Sequence, residues 1–125
     1  MRTPTKLSSR EAAKLGIGRQ SKYRAVPTVV DGIRFASKKE AKRYAELKML
    51  HSAGHILSFN MQVRFALTVT RKDGDIVKVG EYVPDFVYIR NGEHVIEDTK
   101  GFRTPLYKWK KKHFEAQYGV EIREI

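Results

Sequence analysis

The dipeptide Asn91-Gly92 restricts the fold of this chain more than any other feature of its sequence. Asn-Gly favours the two-residue turn of a β-hairpin, because both residues adopt positive φ readily. The runs on either side, residues 79–89 and residues 94–100, are rich in apolar and β-branched residues. Such runs are typical of strands. The sequence therefore predicts two neighbouring antiparallel strands joined by a tight turn.

This predicted register brings two acidic residues together. With a two-residue turn, Asp85 lies directly opposite Asp98, and their Cβ atoms are about 5 Å apart. Because side chains alternate along a strand, Lys100 shares the face of Asp98, whereas Glu97 and Thr99 point to the other face. Two carboxylates this close repel each other unless a cation lies between them, so we expect a cation at this place.

Two acids and a lysine in this arrangement are typical of phosphodiester hydrolysis. Magnesium prefers a few carboxylates plus water, and it can clamp a phosphate and activate the attacking water. A lysine such as Lys100 can position that water or stabilise developing negative charge. The alternative is that Asp85, Asp98 and Lys100 form an exposed salt-bridge ladder. The chain has no cysteine and shows no phosphate-cradling glycine loop or nucleophile elbow, so no other catalytic motif competes.

The remaining pattern predicts an α/β domain. Ser37 and Glu40 have the spacing of a capping box, and Thr104-Pro105 has the form of a cap followed by proline at the first helical position. The predicted elements are two short extended pieces around Asp31-Gly32, a helix over residues 37–53, strands over residues 62–70, 79–89 and 94–100, a helix over residues 104–118 and a strand over residues 120–125. We expect Trp109 to pack in the core rather than to stack on bases.

Two polar residues have an open assignment. Glu40 is at the end of an apolar helical face, so it either only caps the helix or also points toward the sheet and joins a metal site. Gln62 begins a predicted strand and either reaches the same end of the sheet or is simply a polar strand start.

The charge predicts a polyanionic partner. The chain has 25 Lys and Arg against 14 Asp and Glu, a net charge of +11. Residues 1–25 hold seven basic residues and one acid, and we expect them to form a flexible basic arm ahead of a domain over residues 26–125. Nucleic acid is the expected partner; ribosome association, an acidic membrane surface or solubility alone are the alternatives. The predicted DNA-binding residues are Lys22, Arg24, Gln62, Arg103, Lys108, Lys111 and Lys112.

The sequence also favours a cytoplasmic location, in a bacterial host cell. The absence of cysteine fits a reducing compartment. No apolar run approaches the roughly 18 residues of a membrane span, and the charged N-terminal residues lack the apolar segment of a secretory signal.

The site residues resemble those of the PD-(D/E)XK, or restriction-endonuclease-like, nuclease superfamily. The matching positions are Glu40, Pro84-Asp85 and Asp98-Thr99-Lys100. The resemblance implies an αβββαβ core with a central mixed sheet flanked by helices. It also implies that Asp85, Asp98 and the Thr99 backbone carbonyl bind Mg²⁺, for which Mn²⁺ substitutes, that Lys100 serves the attacking water, and that Glu40 assists. One departure is that the second acid is Asp98, where many members have Glu.

A narrower resemblance covers about residues 20–125. Segments such as Gly32–Ala41 and Gln62–Phe65 are similar to a small phage and prophage family of unknown function. It implies a role in phage DNA metabolism, similar to Holliday junction resolvases, which are often homodimers. We therefore expect a structure-specific DNA endonuclease. A repair or recombination nickase, an RNA nuclease, and a non-catalytic DNA-binding protein that keeps the nuclease fold are the alternatives.

Overall fold

The computed structural model describes residues 26–125. Within that range the helices are α1, Lys38–Ser52, and α2, Pro105–Tyr118. The strands are β1 Thr28–Val30, β2 Ile33–Phe35, β3 Leu57–Met61, β4 Phe65–Thr70, β5 Ile76–Tyr82, β6 Phe86–Arg90, β7 Glu93–Asp98 and β8 Ile122–Glu124. The predicted basic arm, residues 1–25, lies outside the described residues.

A four-stranded mixed sheet forms the centre of the described chain. Its strand order is β3-β6-β7-β8. The pairs β3–β6 and β6–β7 are antiparallel, and β7–β8 is parallel, with α2 connecting the last two strands. The hairpins β1–β2 and β4–β5 form two further small sheets. Helix α1 packs near β1, β2 and β3, and α2 packs near β4 and β5. The predicted mixed α/β class is confirmed.

The hairpin predicted from Asn91-Gly92 is confirmed. Both residues have positive φ, 52° at Asn91 and 78° at Gly92, as a two-residue turn between twisted strands requires. Arg90 pairs with Glu93, and the same register continues along the strands to Phe86 and Glu97. The turn therefore fixes which side chains of β6 and β7 face each other.

The helix ends follow the capping signals of the sequence. The Ser37 hydroxyl accepts a hydrogen bond from the backbone N–H of Glu40 at 3.1 Å. The Thr104 hydroxyl accepts one from the backbone N–H of Tyr107 at 3.0 Å. Gly119 ends α2 in the left-handed conformation, with φ of 69°, which glycine adopts without a Cβ clash.

Two predicted strands are wrong in their extent. The strand predicted over residues 62–70 begins only at Phe65 and belongs to the β4–β5 hairpin, whereas β3 supplies the first strand of the central sheet. The strand predicted over residues 79–89 is divided between β5 and β6, which belong to different sheets. Pro84 lies at the break, and proline has no N–H to donate to a ladder.

The core has two clusters, which draw on alternate residues of the central strands. The cluster with α1 contains Phe35, Ala41, Tyr44, Leu47, Ile56, Phe86 and Tyr88. The cluster with α2 contains Leu67, Tyr82, Ile96, Tyr107, Phe114 and Ile122. The prediction that Trp109 packs in the core is wrong, because 48% of Trp109 is exposed and the inner positions of α2 belong to Tyr107 and Phe114.

Candidate active site

Asp85 and Asp98 meet at one end of the central sheet. Asp85 immediately precedes β6 and Asp98 is the last residue of β7. The backbone N–H of Asp85 donates to Asp98 Oδ1 at 3.1 Å. The Thr99 backbone N–H and hydroxyl donate to Asp85 Oδ2 at 2.9 and 2.7 Å, so the prediction that Thr99 points to the other face is wrong, because β7 ends at Asp98. Both acids are buried, with 8% of Asp85 and 1% of Asp98 exposed. An exposed salt-bridge ladder is therefore wrong as a description of these acids.

The surroundings of Asp98 favour its neutral form. Burial, and secondly the negative charge of Asp85, raise the pKa of Asp98 to about 7. Lys100 and the Tyr82 hydroxyl, which donates to Asp98 Oδ2, act in the opposite direction. A raised carboxyl pKa in a shared acid pair is typical of functional sites. A cation beside these oxygens would relieve the repulsion and restore the charged form.

Lys100 lies between Asp98 and an aromatic ring. Its Nζ is 3.7 Å from Asp98 Oδ2 and 4.3 Å from the centre of the Tyr107 ring. The Tyr107 hydroxyl donates to Glu124 Oε2 at 2.7 Å, so the ring is held in place. The backbone N–H of Lys100 donates to the Ile125 carbonyl at 3.3 Å. The ammonium group is thus positioned by α2 and β8 beside the acid pair.

Glu40 borders the same region through a cleft. Only 4% of Glu40 is exposed, and it lines a cleft of about 460 Å³ together with Thr99. Lys38 and Lys39, both exposed, also line this cleft at the first turn of α1. The positive end of the helix dipole adds to their charge, which favours an anion there. The sequence analysis missed these two lysines, although lysine in a first helical turn is against the usual preference for acids.

Gln62 lies at the same end of the sheet as Asp85. It directly follows Met61, which pairs with Phe86, the residue after Asp85. Gln62 is 5% exposed, and its Oε1 makes no hydrogen bond within residues 26–125. It lines a second cleft, beside Tyr44. A contact between Gln62 and DNA remains a prediction, and this second cleft is where it would be made.

The predicted DNA-binding residues of α2 and the loop before it line one shallow cleft. This cleft of about 280 Å³ is bordered by Arg103, Lys108, Lys111 and Lys112. Arg103 pairs with Glu124 at 2.9 Å and Lys111 pairs with Glu115 at 3.2 Å. Lys108 and Lys112 are exposed. The other two basic members of the predicted set, Lys22 and Arg24, lie outside the described residues.

Glu97 belongs to a separate cluster on the opposite face of β7. It is completely buried and accepts two bonds from Arg43, at 2.8 Å from Nε and 2.7 Å from Nη2. The Tyr88 hydroxyl also donates to Glu97. The hydrogen bonds to Glu97 raise the pKa of Arg43. The predicted separation of Glu97 from Asp98 and Lys100 is confirmed, but the sequence analysis missed its partner Arg43.

The family of the chain follows from its match over most of its length. A family model described as "Protein of unknown function (DUF1064)" matches residues 20–124. The chain belongs to the DUF1064 family. No functionally curated protein matches it. The match therefore places Glu40, Asp85, Asp98 and Lys100 inside the DUF1064 region but gives none of them a role.

Two features are absent from the described part of this DUF1064 chain, a membrane-spanning helix and a cluster of three metal-ligating side chains. Neither α1 nor α2, the helices within residues 26–125, is long and apolar enough to cross a membrane. In the same range, no three His, Asp or Glu side chains form a ready group of metal ligands. The metal ligands implied by the resemblance, including the Thr99 carbonyl, remain predictions.

Proposed function

We propose that this protein is a magnesium-dependent DNA endonuclease of the PD-(D/E)XK type. The observation that carries the proposal is the buried pair Asp85 and Asp98, with the Lys100 ammonium 3.7 Å from Asp98. Buried like charges are costly unless a cation or a proton neutralises them. A chain would retain such a pair at a sheet end, next to a cleft, for chemistry rather than for stability.

The strand order supports the same proposal. If the β4–β5 hairpin is treated as an insertion, the elements α1, β3, β6, β7, α2 and β8 follow one another as αβββαβ. This is the core order implied by the nuclease resemblance, with the acids at the ends of its second and third strands. The additions to this order are the β1–β2 hairpin ahead of α1 and the β4–β5 hairpin between the first and second strands.

The residues fit a divalent cation. The carboxylates of Asp85 and Asp98 lie close together. Besides burial, the negative charge of Asp85 raises the pKa of Asp98, and a bound cation would remove this second effect. These two acids would hold Mg²⁺, or Mn²⁺ in its place, with the Thr99 carbonyl as an additional donor, and Glu40, which does not group with the two acids, would assist through water. When bound, the ion supplies charge neutralisation at the scissile phosphate and a more acidic water.

The chain's own groups then divide the remaining work. Lys100 orients the attacking water and stabilises the charge that develops on the phosphate. Its position depends on Tyr107, whose ring faces the ammonium group. Lys38 and Lys39 line the cleft next to Glu40 and attract the phosphate backbone toward it. Exclusion of bulk water from the buried acids strengthens each of these electrostatic effects.

The proposed substrate is structured DNA. A net charge of +11 favours phosphate contacts, which do not depend on base sequence. A four-way junction cut by a homodimer, as in phage and prophage recombination, is the first substrate to test, because two identical sites suit two symmetric strands.

A non-catalytic DNA-binding protein is the second candidate. The observation that favours it is the internal satisfaction of the acids, since Thr99 binds Asp85 and Tyr82 binds Asp98. A carboxylate that already accepts these bonds has fewer lone pairs for a metal. Binding of structured DNA without cleavage under every metal condition would favour this candidate.

A cleavage assay with matched variants tests the proposal. The full-length protein is incubated with linear, nicked, flapped and four-way DNA, with Mg²⁺, Mn²⁺ or Ca²⁺ added separately. Asp98→Asn and Lys100→Ala should each lower the cleavage rate by at least about a hundredfold while DNA affinity is retained. Glu93→Gln is the control, since Glu93 is an exposed acid at the start of the same strand. Cleavage that survives both site variants would refute the site assignment.

A further inference from the structure

Trp109 is exposed on α2 although the helix has a well-defined buried face. It is the only tryptophan of the chain, and 48% of it is exposed, whereas Tyr107 and Phe114 are buried. Burying an indole would contribute a few kcal/mol of stability. About half of the indole therefore stays accessible to a ligand on the solvent side of α2.

The exposed indole is held in place by its neighbour. The rings of Trp109 and His113 lie with their centres 5.3 Å apart. His113 Nε2 is hydrogen-bonded to the Thr68 carbonyl of β4 at 2.8 Å. The imidazole is thus fixed to the β4–β5 hairpin and supports one side of the indole. A ligand that contacts Trp109 meets a partly ordered surface, which reduces the entropy lost on binding.

Two lysines flank Trp109 on the solvent side of α2. Lys112 follows Trp109 by three residues, so these two side chains lie on one face of α2, and Lys108, four residues before Lys112, continues the basic row along the helix. Both lysines are exposed, and neither has a salt-bridge partner within the described part of the chain. Lys111, by contrast, is turned toward Glu115. Two exposed lysines without a salt bridge among the described residues therefore lie next to Trp109 on the solvent side of α2, and both line the basic cleft beside α2.

We propose that Trp109, Lys108 and Lys112 form a stacking platform for an unpaired base of a bound nucleic-acid strand. The indole stacks on the base, and the lysines contact the adjacent phosphates. An aromatic ring in a basic surface is the combination by which proteins hold single strands, whatever their sequence. A protein partner fits less well, because it would bury two unpaired ammonium groups beside the ring.

This platform names the class of substrate, and in that respect it rests on the proposed nuclease function. Trp109 and Tyr107 lie on opposite faces of α2, and Tyr107 is the residue that contacts Lys100. A helix is about 10 Å across, so the stacked base is not the one at the scissile phosphate. The platform holds a neighbouring part of the strand. The substrate then has unpaired nucleotides near the cleavage point, as flaps, gaps and open junctions have.

The intrinsic fluorescence of the protein reports on this surface directly, because Trp109 is the only tryptophan. The full-length protein in EDTA is titrated with an oligothymidine strand of roughly 16 nucleotides and, separately, with a duplex of the same length. Stacking of a base should quench the emission at least about twofold more with the single strand than with the duplex. Equal quenching by both, or none by the single strand, overturns the platform. A blue shift that grows with protein concentration alone also overturns it, because a second copy then covers the indole.

Variants separate the base contact from the phosphate contacts. Trp109→Ala should weaken binding of the labelled single strand about tenfold and leave duplex binding nearly unchanged, whereas Trp109→Phe should retain most of the affinity. Lys112→Ala should weaken both substrates equally, since phosphates carry no base information. Met49→Ala removes an exposed apolar side chain from α1 and is the control. An equal loss on both substrates for Trp109→Ala overturns the proposal. Because DNA binding is measured in EDTA and needs no metal centre, an absence of cleavage would refute the proposed nuclease function and not the stacking platform.

Discussion

Asp98→Asn should make the protein more stable at neutral and alkaline pH, although it removes a residue of the proposed site. The ordinary pKa of the carboxyl is 3.8, and burial beside Asp85 raises the pKa of Asp98 to about 7. Between these values the unfolded chain has lost a proton that the folded protein keeps. The contribution of Asp98 to the free energy of unfolding is therefore largest below about pH 4, falls as the pH rises to about 7, and is constant above that pH. At 1.36 kcal/mol per pH unit, the loss amounts to about 4 kcal/mol.

Asparagine keeps most of the hydrogen bonds of Asp98 without its charge. The amide oxygen can accept from the Asp85 backbone N–H, and the amide N–H₂ can donate to the Tyr82 hydroxyl. If the altered contacts cost about 1 kcal/mol, the variant is more stable than wild type by roughly 1–3 kcal/mol at about pH 8. For a domain of this size that corresponds to a Tm increase of roughly 5 °C or more.

Thermal unfolding followed by far-ultraviolet circular dichroism measures this effect. Wild type, Asp98→Asn and the control Glu93→Gln are compared without divalent metal from about pH 4 to about pH 8. The difference in Tm between Asp98→Asn and wild type should rise steadily to about pH 7 and then stay level. A difference that is independent of pH would show that Asp98 is ionised throughout, and the reasoning about the buried pair would be refuted. Mg²⁺ at the upper pH should stabilise wild type and Glu93→Gln but not Asp98→Asn.

Two further substitutions test the groups that surround the acid pair. Arg43→Met leaves the fully buried Glu97 without its cation, so urea unfolding should show that the free energy of unfolding falls by about 3–5 kcal/mol. The double variant Arg43→Met, Glu97→Leu should recover most of this loss, and equal losses in the single and double variants would contradict a charge effect. Tyr107→Leu removes the ring that faces Lys100 and should lower the single-turnover cleavage rate up to about tenfold without changing DNA affinity. Tyr107→Phe should keep most of the rate. A Tyr107→Leu rate equal to that of wild type would show that the ring does not position the lysine.

The hairpin and the helix ends could be predicted because local chemistry decides them. Asn91-Gly92 specifies a turn with positive φ at both residues, and the turn in turn fixes the register that brings Asp85 beside Asp98. Ser37 and Thr104 cap their helices through contacts only three residues away. No distant part of the chain is needed for any of these features.

Sheet membership could not be predicted, because it depends on distant contacts. Residues 79–89 form one run rich in apolar and β-branched residues, yet β5 pairs with β4 and β6 pairs with β3 and β7. Periodicity reports that a segment is extended and does not report which partner it meets. The exposure of Trp109 has a similar origin, since Tyr107 and Phe114 already fill the inner positions of α2. The sequence around Arg43 gives no signal of a buried partner, because Lys42 and Glu46 nearby make it resemble an ordinary exposed arginine.

The adjacent acids Glu97 and Asp98 favour one register of β7 over the others, because their side chains bind different partners on the two faces of the sheet. Glu97 points to Arg43, and Asp98 points to Asp85 and Lys100. A slip of β7 by one residue would exchange the two faces, and it would leave Arg43 opposite either Ile96, which has no charge, or Asp98, whose side chain is shorter than that of Glu97. Loss of the ion pair between Arg43 and Glu97 thus destabilises a β7 strand that is shifted by one residue. The placement of Asp98, a carboxylate of the proposed site, is thus stabilised by contacts on the opposite face of the sheet.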